Sequence, residues 1–288
     1  MPVSTLIVEG GGDDPIDAAI LHALLAGQPA VVSGGSKGSL KPKANDARGP
    51  GQRVQACYLR DRDFDHDPPL DRNVPTIDAY VTGSSVHVLG WRWCRHEIES
   101  YLVDPRIMAA ATGLPEASFI EGIFRAAAKI QSYTAARWAV GTARRRVPPS
   151  NRLRTRPEEL QSEFALPAYV AQPEDCLDWA CKHVQRFLAE VASAVSEAEV
   201  RETFRARQDQ LVVAPSHLRE AGPLTTEDVL LLHSGKDLMA ALDPLIYRGF
   251  AGDPKTLRRK LRDWVRNNPE EAVAMFPEWN ALREALRA

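Results

Sequence analysis

Residues 54–67 read VQACYLRDRDFDHD, an apolar run followed by aspartates at every second position, Asp61, Asp63, Asp65 and Asp67. The run VQACYL suits a buried strand, and the acids arrive where that strand would emerge at its carboxyl end. In open α/β sheets this is the edge where ligands bind. If the strand continues through Asp63, then Asp61 and Asp63 point to one side, because side chains alternate with period two. Two carboxylates so placed repel each other unless a cation lies between them, and their hard oxygens suit Mg²⁺ or Mn²⁺. The competing reading is a solvated acidic turn.

Outward from this stretch, the first third of the chain alternates between strand and helix signals. Ser4–Val8 (STLIV) reads as a strand ending in Glu9-Gly10-Gly11-Gly12. Asp13 or Asp14 can cap a following helix, whose apolar positions Ile16, Ala19, Ile20, Ala23 and Leu24 recur at helical spacing. Pro29–Val32 (PAVV) begins a second strand, Val54–Leu59 is a third, and Val86–Trp91 (VHVLGW) a fourth, with the helix-like HEIESYLVDP behind it. Strands separated by helices in this way imply βαβ units and a mostly parallel sheet. Beyond residue 105 the signal is helical almost throughout, with 173–194, 197–208, 226–247, 254–267 and 269–286 punctuated by Pro or Gly. VPPSNRLRTRP, 147–157, reads as a loop. The expected fold is α/β, a Rossmann-like, mostly parallel sheet with a helical C-terminal region, divided into 1–105 and 106–288, the second partly packed on the first.

Composition narrows the classes of function. With 288 residues, 44% of them hydrophobic and 26% charged, the chain can bury a sizeable core. A net charge of −2 argues against a wholly basic nucleic-acid coat while leaving room for a local basic patch. The four cysteines, Cys57, Cys94, Cys176 and Cys181, lack the spacing of a zinc knuckle. No basic region precedes the apolar run at the N-terminus, and no stretch of about 18 apolar residues occurs. A reduced, soluble, cytoplasmic protein with no membrane partner is the expectation.

The acidic stretch can be tested against known metal sites. A calcium EF-hand loop beginning at Asp61 needs Gly at its sixth position and Glu at its twelfth, where His66 and Arg72 stand. A phosphatase with an aspartate nucleophile wants a small β-branched residue after Asp-x-Asp, but Phe64 follows and Arg60 interrupts the strand. That reading survives as an alternative, with Asp61 as nucleophile. A third reading requires a glutamate at the end of the first strand, and Glu9 supplies it. In a parallel sheet the ends of neighbouring strands converge, so Glu9 can face Asp61 and Asp63.

A hydrophobic strand ending in Glu-Gly, a later one ending in Asp-x-Asp, and then a Glu-rich segment resemble the TOPRIM domain of topoisomerases, primases and OLD-type nucleases. The wording HEIESYLVDP, His96–Pro105, is most similar to the nuclease branch, the OLD-type proteins and the stand-alone TOPRIM effectors of PARIS-type phage-defence systems. The resemblance covers roughly the first 105 residues and only loosely the helical remainder. It implies a TOPRIM catalytic domain in which Glu9 is metal ligand or general acid/base, Asp61 and Asp63 hold Mg²⁺ or Mn²⁺, and Asp65 is an outer ligand. On a helix, Glu97 and Glu99 diverge by about 200°, so one alone faces the site; Glu99, beside Tyr101-Leu102, is the expected ligand and Glu97 a solvated first-turn acid. The chemistry implied is phosphodiester cleavage in DNA or tRNA, by one or two metals.

A cation is also expected at the transition state, and Lys236 in LHSGKDLM is the candidate, with a surface lysine as the alternative. The stretch 137–156, RWAVGTARRRVPPSNRLRTR, has seven arginines and no acid. It suits contact with a phosphate backbone through Arg137, Arg144, Arg145, Arg146, Arg152 and Arg154. The second cluster, KTLRRKLRDWVR (255–266), reads as an amphipathic packing helix. Gly34–Ser39 lacks the Gly-Lys-Ser/Thr order of a phosphate loop, as does Gly235-Lys236-Asp237, so the chain carries no ATPase of its own. The resemblance then implies a separate ATPase partner that senses the trigger. His66 and His96 lie near the acids as proton shuttles, phosphate contacts or polar lining. A homodimer and a non-catalytic interaction module remain open.

Overall fold

The structure, a computed structural model, describes residues 2–10, 16–48, 55–82, 85–146, 155–157, 160, 162, 164–190, 195–213 and 224–288. In chain order its elements are β1 (Thr5–Val8), α1 (Ile16–Leu24), β2 (Ala30–Ser33), α2 (Lys37–Ala47), β3 (Ala56–Arg60), β4 (Thr76–Thr82) and β5 (Ser85–Arg92). Helices follow: α3 (Glu99–Leu102), α4 (Pro105–Thr112), α5 (Glu116–Arg145), α6 (Pro173–Glu190), α7 (Glu197–Gln210), α8 (Thr226–Leu232), α9 (Gly235–Ala241), α10 (Pro244–Tyr247), α11 (Pro254–Asn267), α12 (Pro269–Met275) and α13 (Pro277–Arg287). Two compact units form. One comprises Met1–Arg62, Pro68–Ile98 and Arg259–Ala288; the other comprises Asp63–Asp67 and Glu99–Arg258.

The first unit is an α/β layer structure on a five-stranded sheet of order β2-β1-β3-β5-β4. Strands β2, β1, β3 and β5 run parallel, and β4 is the antiparallel edge. From β1 the chain steps to β2 on one side and then returns past β1 to β3 on the other. Right-handed crossovers therefore place α1 and α2 on opposite faces. The strand order reverses between β1 and β3, and in open α/β sheets ligands bind at the carboxyl ends of the strands at such a point. On one face Leu40 and Ala44 of α2 pack with Ile7, Tyr58 and Leu89 from β1, β3 and β5. The C-terminal helices return to this unit: the Val3 amide donates to the Leu286 carbonyl at 3.0 Å, and α12 packs on α1. Arg283 donates to the Leu24 carbonyl and clasps Glu270 at 2.9 and 2.7 Å.

The second unit is helical and organised around α5. Local signals set its helix starts. Asp104 accepts from the Arg106 amide with Pro105 in the first turn of α4, and capping boxes at Ser196/Glu199 and Thr225/Asp228 open α7 and α8. Alanines and a glycine along α5 let neighbouring chain approach closely; a Cβ at Gly141 would lie 2.2 Å from the Phe64 carbonyl oxygen. The Trp138 indole donates to the Leu232 carbonyl at 3.0 Å and meets the Phe64 ring edge-on at 5.2 Å.

Several sequence expectations are revised. The division at 105/106 separates residues that pack together: 259–288 belong with the sheet, and 63–67 with the helices. The edge strand β4 was not anticipated, and α2, whose sequence KGSLKPKANDA is polar and carries Pro42, gave no helical periodicity. The Arg137–Arg145 part of the arginine-rich stretch forms the end of α5. The proposed cap at Asp13 or Asp14 and most of the 147–157 loop lie outside the described residues. Among the described residues no helix is long and apolar enough to cross a membrane.

Gly90 of β5 pairs with Tyr58 of β3, where an added Cβ would sit 2.2 Å from the Tyr58 carbonyl oxygen and 2.7 Å from its ring. Gly90→Ala is therefore expected to lower stability in urea denaturation by about 1–3 kcal/mol, the cost of overpacking a tight contact.

Candidate functional site

Three neighbouring parallel strands each deliver an acid just beyond their carboxyl ends. Glu9 follows β1, Asp61 follows β3, and Glu97 lies in the bend after β5. The Asp61 amide donates to Glu9 Oε1 at 3.0 Å, so the first glutamate is held by the backbone of the second acidic segment. Asp61, Asp63 and Glu97 each present a carboxylate oxygen, the three lying within 4.8 Å of one another. Strand β3 ends at Arg60, so strand alternation does not pair the two aspartates as expected. Asp63 instead adopts a left-handed backbone, φ 49°, a conformation in which aspartate is enriched among non-glycine residues.

Arg62, between these aspartates, explains how Glu97 reaches them. Its side chain is 1% exposed, and its Nε donates to the Cys94 carbonyl at 2.7 Å. The Trp93 amide donates to the Arg60 carbonyl at 3.2 Å, and the Cys94 amide to the buried Glu278 carboxylate at 2.7 Å. These bonds lash the turn after β3 to the bend after β5. In the sequence the aspartates on either side draw the eye to metal binding, and the only local signal for Arg62 is a lone arginine inside an acidic run.

The two glutamates of HEIESYL stand in places other than those expected of them. Helical spacing does not separate them, because α3 begins only at Glu99 and Glu97 lies ahead of it in non-helical chain. Glu97 is not solvated but 5% exposed, and it sits with the aspartates. Glu99, the expected ligand, is buried and accepts from Arg258 Nη1 at 3.0 Å, with Lys236 Nζ 3.5 Å away. Lys236 is thus placed in an ion-pair cluster of the helical unit. That cluster is tight, since the Gly235 amide donates to Ser100 Oγ at 3.0 Å and a Cβ at Gly235 would strike the Glu99 backbone at 2.2 Å.

The outer aspartates and the arginines meet each other. Asp65 pairs with Arg144, while Asp67 accepts from Arg145 at 2.7 Å and from Arg207. The two arginines hold the Asp67 carboxyl below the usual carboxylate range against the opposing effect of burial. Asp65, expected as an outer ligand, thus engages Arg144 within the helical unit. Arg146 pairs with Glu199, and Arg137 is buried against Asp237 with its guanidinium 4.2 Å over the Phe64 ring. Arg152 and Arg154 lie outside the described residues. His96 is fully buried, and His66 is half-buried.

The donor set is chemically uniform. Asp61, Asp63 and Glu97, with Glu9 beside them, offer hard carboxylate oxygens, the ligand type of Mg²⁺ and Mn²⁺. The four cysteines are buried free thiols whose pKa values burial raises, which keeps them protonated and poor ligands. No protein-family model matches the chain, and no curated protein matches it.

Two outcomes follow for the helical unit. Removing one partner of the buried Arg137–Asp237 pair strands a charge, so Arg137→Ala is expected to cost about 3–5 kcal/mol in chemical denaturation. Arg145→Ala, at a half-exposed pair, should cost no more than about 1 kcal/mol. His233 is completely buried with Nδ1 3.0 Å from the Val229 carbonyl, and burial lowers its pKa from 6.5 to about 4. The unfolded chain binds this proton first as pH falls. Stability from neutral His233 is thus fully present above about 6.5 and is lost progressively as pH falls towards about 4. Denaturation midpoints measured from pH 7 to pH 4 should show this loss, and His233→Gln should flatten it.

Proposed function

We propose that this chain is a metal-dependent nuclease of the TOPRIM type that hydrolyses phosphodiester bonds in DNA or tRNA. The observation that carries the reading is the convergence of Glu9, Asp61, Asp63 and Glu97 from the carboxyl ends of three adjacent parallel strands. Their order along the chain, a Glu-Gly strand end, an Asp-x-Asp strand end and a later glutamate, is that of the resemblance drawn from sequence. The rest of the proposed biology comes from the same resemblance: a cytoplasmic effector of antiphage defence, held in check by a partner ATPase.

On this reading Asp61, Asp63 and Glu97 hold one or two divalent cations. Bound there, Mg²⁺ or Mn²⁺ would supply positive charge to the scissile phosphate and acidify water. Glu9, oriented by the Asp61 amide, takes the proton of the attacking water on its carboxylate. Arg62 keeps the two acidic turns in register, so that the ligands are presented together.

Incubating the protein with Mg²⁺ or Mn²⁺ and either plasmid DNA or total tRNA tests the reading. Asp61→Ala and Glu9→Ala should each reduce cleavage at least about a hundredfold, as expected for loss of groups acting directly on charge at the reacting phosphate. Cleavage that persists in both variants would sink the assignment, and a covalent aspartyl phosphate on Asp61 would replace it with a phosphatase. Calorimetric titration with Mn²⁺ separates the two glutamates: Glu97→Gln should weaken binding about tenfold or more, and Glu99→Gln should leave it unchanged.

A further inference from the structure

Glu9, Asp61, Asp63 and Glu97 supply only negative charge, whereas phosphodiester cleavage also benefits from a fixed cation near the phosphate. Lys236 is committed to Glu99 in the helical unit. A different lysine belongs to the sheet. Strand β2 lies beside β1, and its carboxyl end runs through Ser33-Gly34-Gly35-Ser36 into Lys37, the first residue of α2. Gly10 and Gly35 exchange backbone hydrogen bonds of 3.1 and 3.0 Å, which joins the turn after β2 to the turn after β1, next to Glu9. Close packing fixes this turn, since a Cβ at Gly34 would lie 2.3 Å from Leu40 and 2.6 Å from Ile7. Lys37 Nζ reaches the Arg62 carbonyl at 3.5 Å, on the residue between Asp61 and Asp63.

The position is electrostatically unusual for a lysine. At the amino end of an 11-residue helix the macrodipole disfavours positive charge, and α2 has no acid in its first turn to offset it. The Gly10–Gly35 bridge and the contact with the Arg62 carbonyl hold the lysine beside the acidic edge, whose negative charge favours an ammonium there. We propose that Lys37 is a catalytic residue of this site, its ammonium contacting a non-bridging oxygen of the nucleic-acid phosphate held at the carboxylates. The inference rests on the nuclease reading above and adds to it the group that receives the substrate's charge.

Binding and cleavage by the wild type, Lys37→Gln, Lys37→Arg and Asp61→Ala test it. Anisotropy of a labelled single-stranded oligonucleotide in Ca²⁺, together with Mn²⁺ calorimetry, reads the site without turnover. Lys37→Gln should weaken oligonucleotide binding and cleavage at least about tenfold, the effect of losing one charge-assisted hydrogen bond. It should leave Mn²⁺ affinity and the thermal midpoint unchanged, and Lys37→Arg should restore most of the binding. Equal oligonucleotide binding by Lys37→Gln and wild type would overturn the role of Lys37 while leaving the nuclease reading intact. Unchanged Mn²⁺ binding in Asp61→Ala would instead overturn the metal site. A wild type that binds no oligonucleotide would overturn both.

Discussion

The parallel register of β1 on β3 is the constraint from which the acidic edge follows. Val8 stands opposite Leu59 and β3 ends one residue later at Arg60, so Glu9 and Asp61 leave the sheet at the same edge. The hydrogen bond from the Asp61 amide to Glu9 depends on that alignment. A slip of one residue would turn each side chain of a strand to the other face of the sheet. Leu6, Ile7, Val8, Tyr58 and Leu59, all nearly inaccessible to solvent, would then meet the wrong layer. The hydrophobic pattern that folds the sheet thus also fixes the spacing of the carboxylates.

Placing four carboxylates together has a cost that the surrounding backbone must withstand. Like charges a few ångströms apart repel strongly where water is excluded. The turns carrying them are tethered by bonds that do not involve the carboxylates of Asp61 or Asp63: the Trp93 amide to Arg60, Arg62 to Cys94, and the Cys94 amide to Glu278. Glu278 comes from α13, so the last helix of the chain contributes to the geometry of a site formed by the first third. This explains physically why residues 259–288 fold with the sheet: without them the Cys94 amide would lose its acceptor in a buried setting.

Much of the sheet is legible in the sequence because its strands are short apolar runs that stop at Gly or at charge, as in STLIVEGG and VQACYLRD. The strand β4 was not, although TIDAYVT has β-branched and aromatic residues at strand-like spacing, because Asp78 breaks the apolar run. Asp78 is accommodated by Tyr58 and by Arg60 and Arg92, partners that become neighbours only in the sheet. The same difficulty governs Glu97 and Glu99. Their separation on an ideal helix is readable, but where the helix begins is settled by tertiary contacts such as those of Glu99 with Arg258 and of Ser100 with Gly235. Arg137 is equally opaque. Nothing local distinguishes an arginine that meets nucleic acid from one that meets an aspartate a hundred positions along the chain.

The run RDRDFDHD divides at Phe64, and the division accounts for its excess of charge. Phe64, fully buried against Trp138 and Arg137, anchors a segment whose remaining acids, Asp65 and Asp67, neutralise arginines of α5 and α7. The acidic run and the basic patch, each conspicuous alone, thus meet in part, through Asp65 with Arg144 and Asp67 with Arg145. On the other side of Phe64, the carboxylates of Asp61 and Asp63 lie with that of Glu97, one oxygen of each within 4.8 Å of the others. The acids of one run thus divide between two environments, Asp65 and Asp67 among arginines and Asp61 and Asp63 among hard carboxylate oxygens of the type that suits a divalent cation.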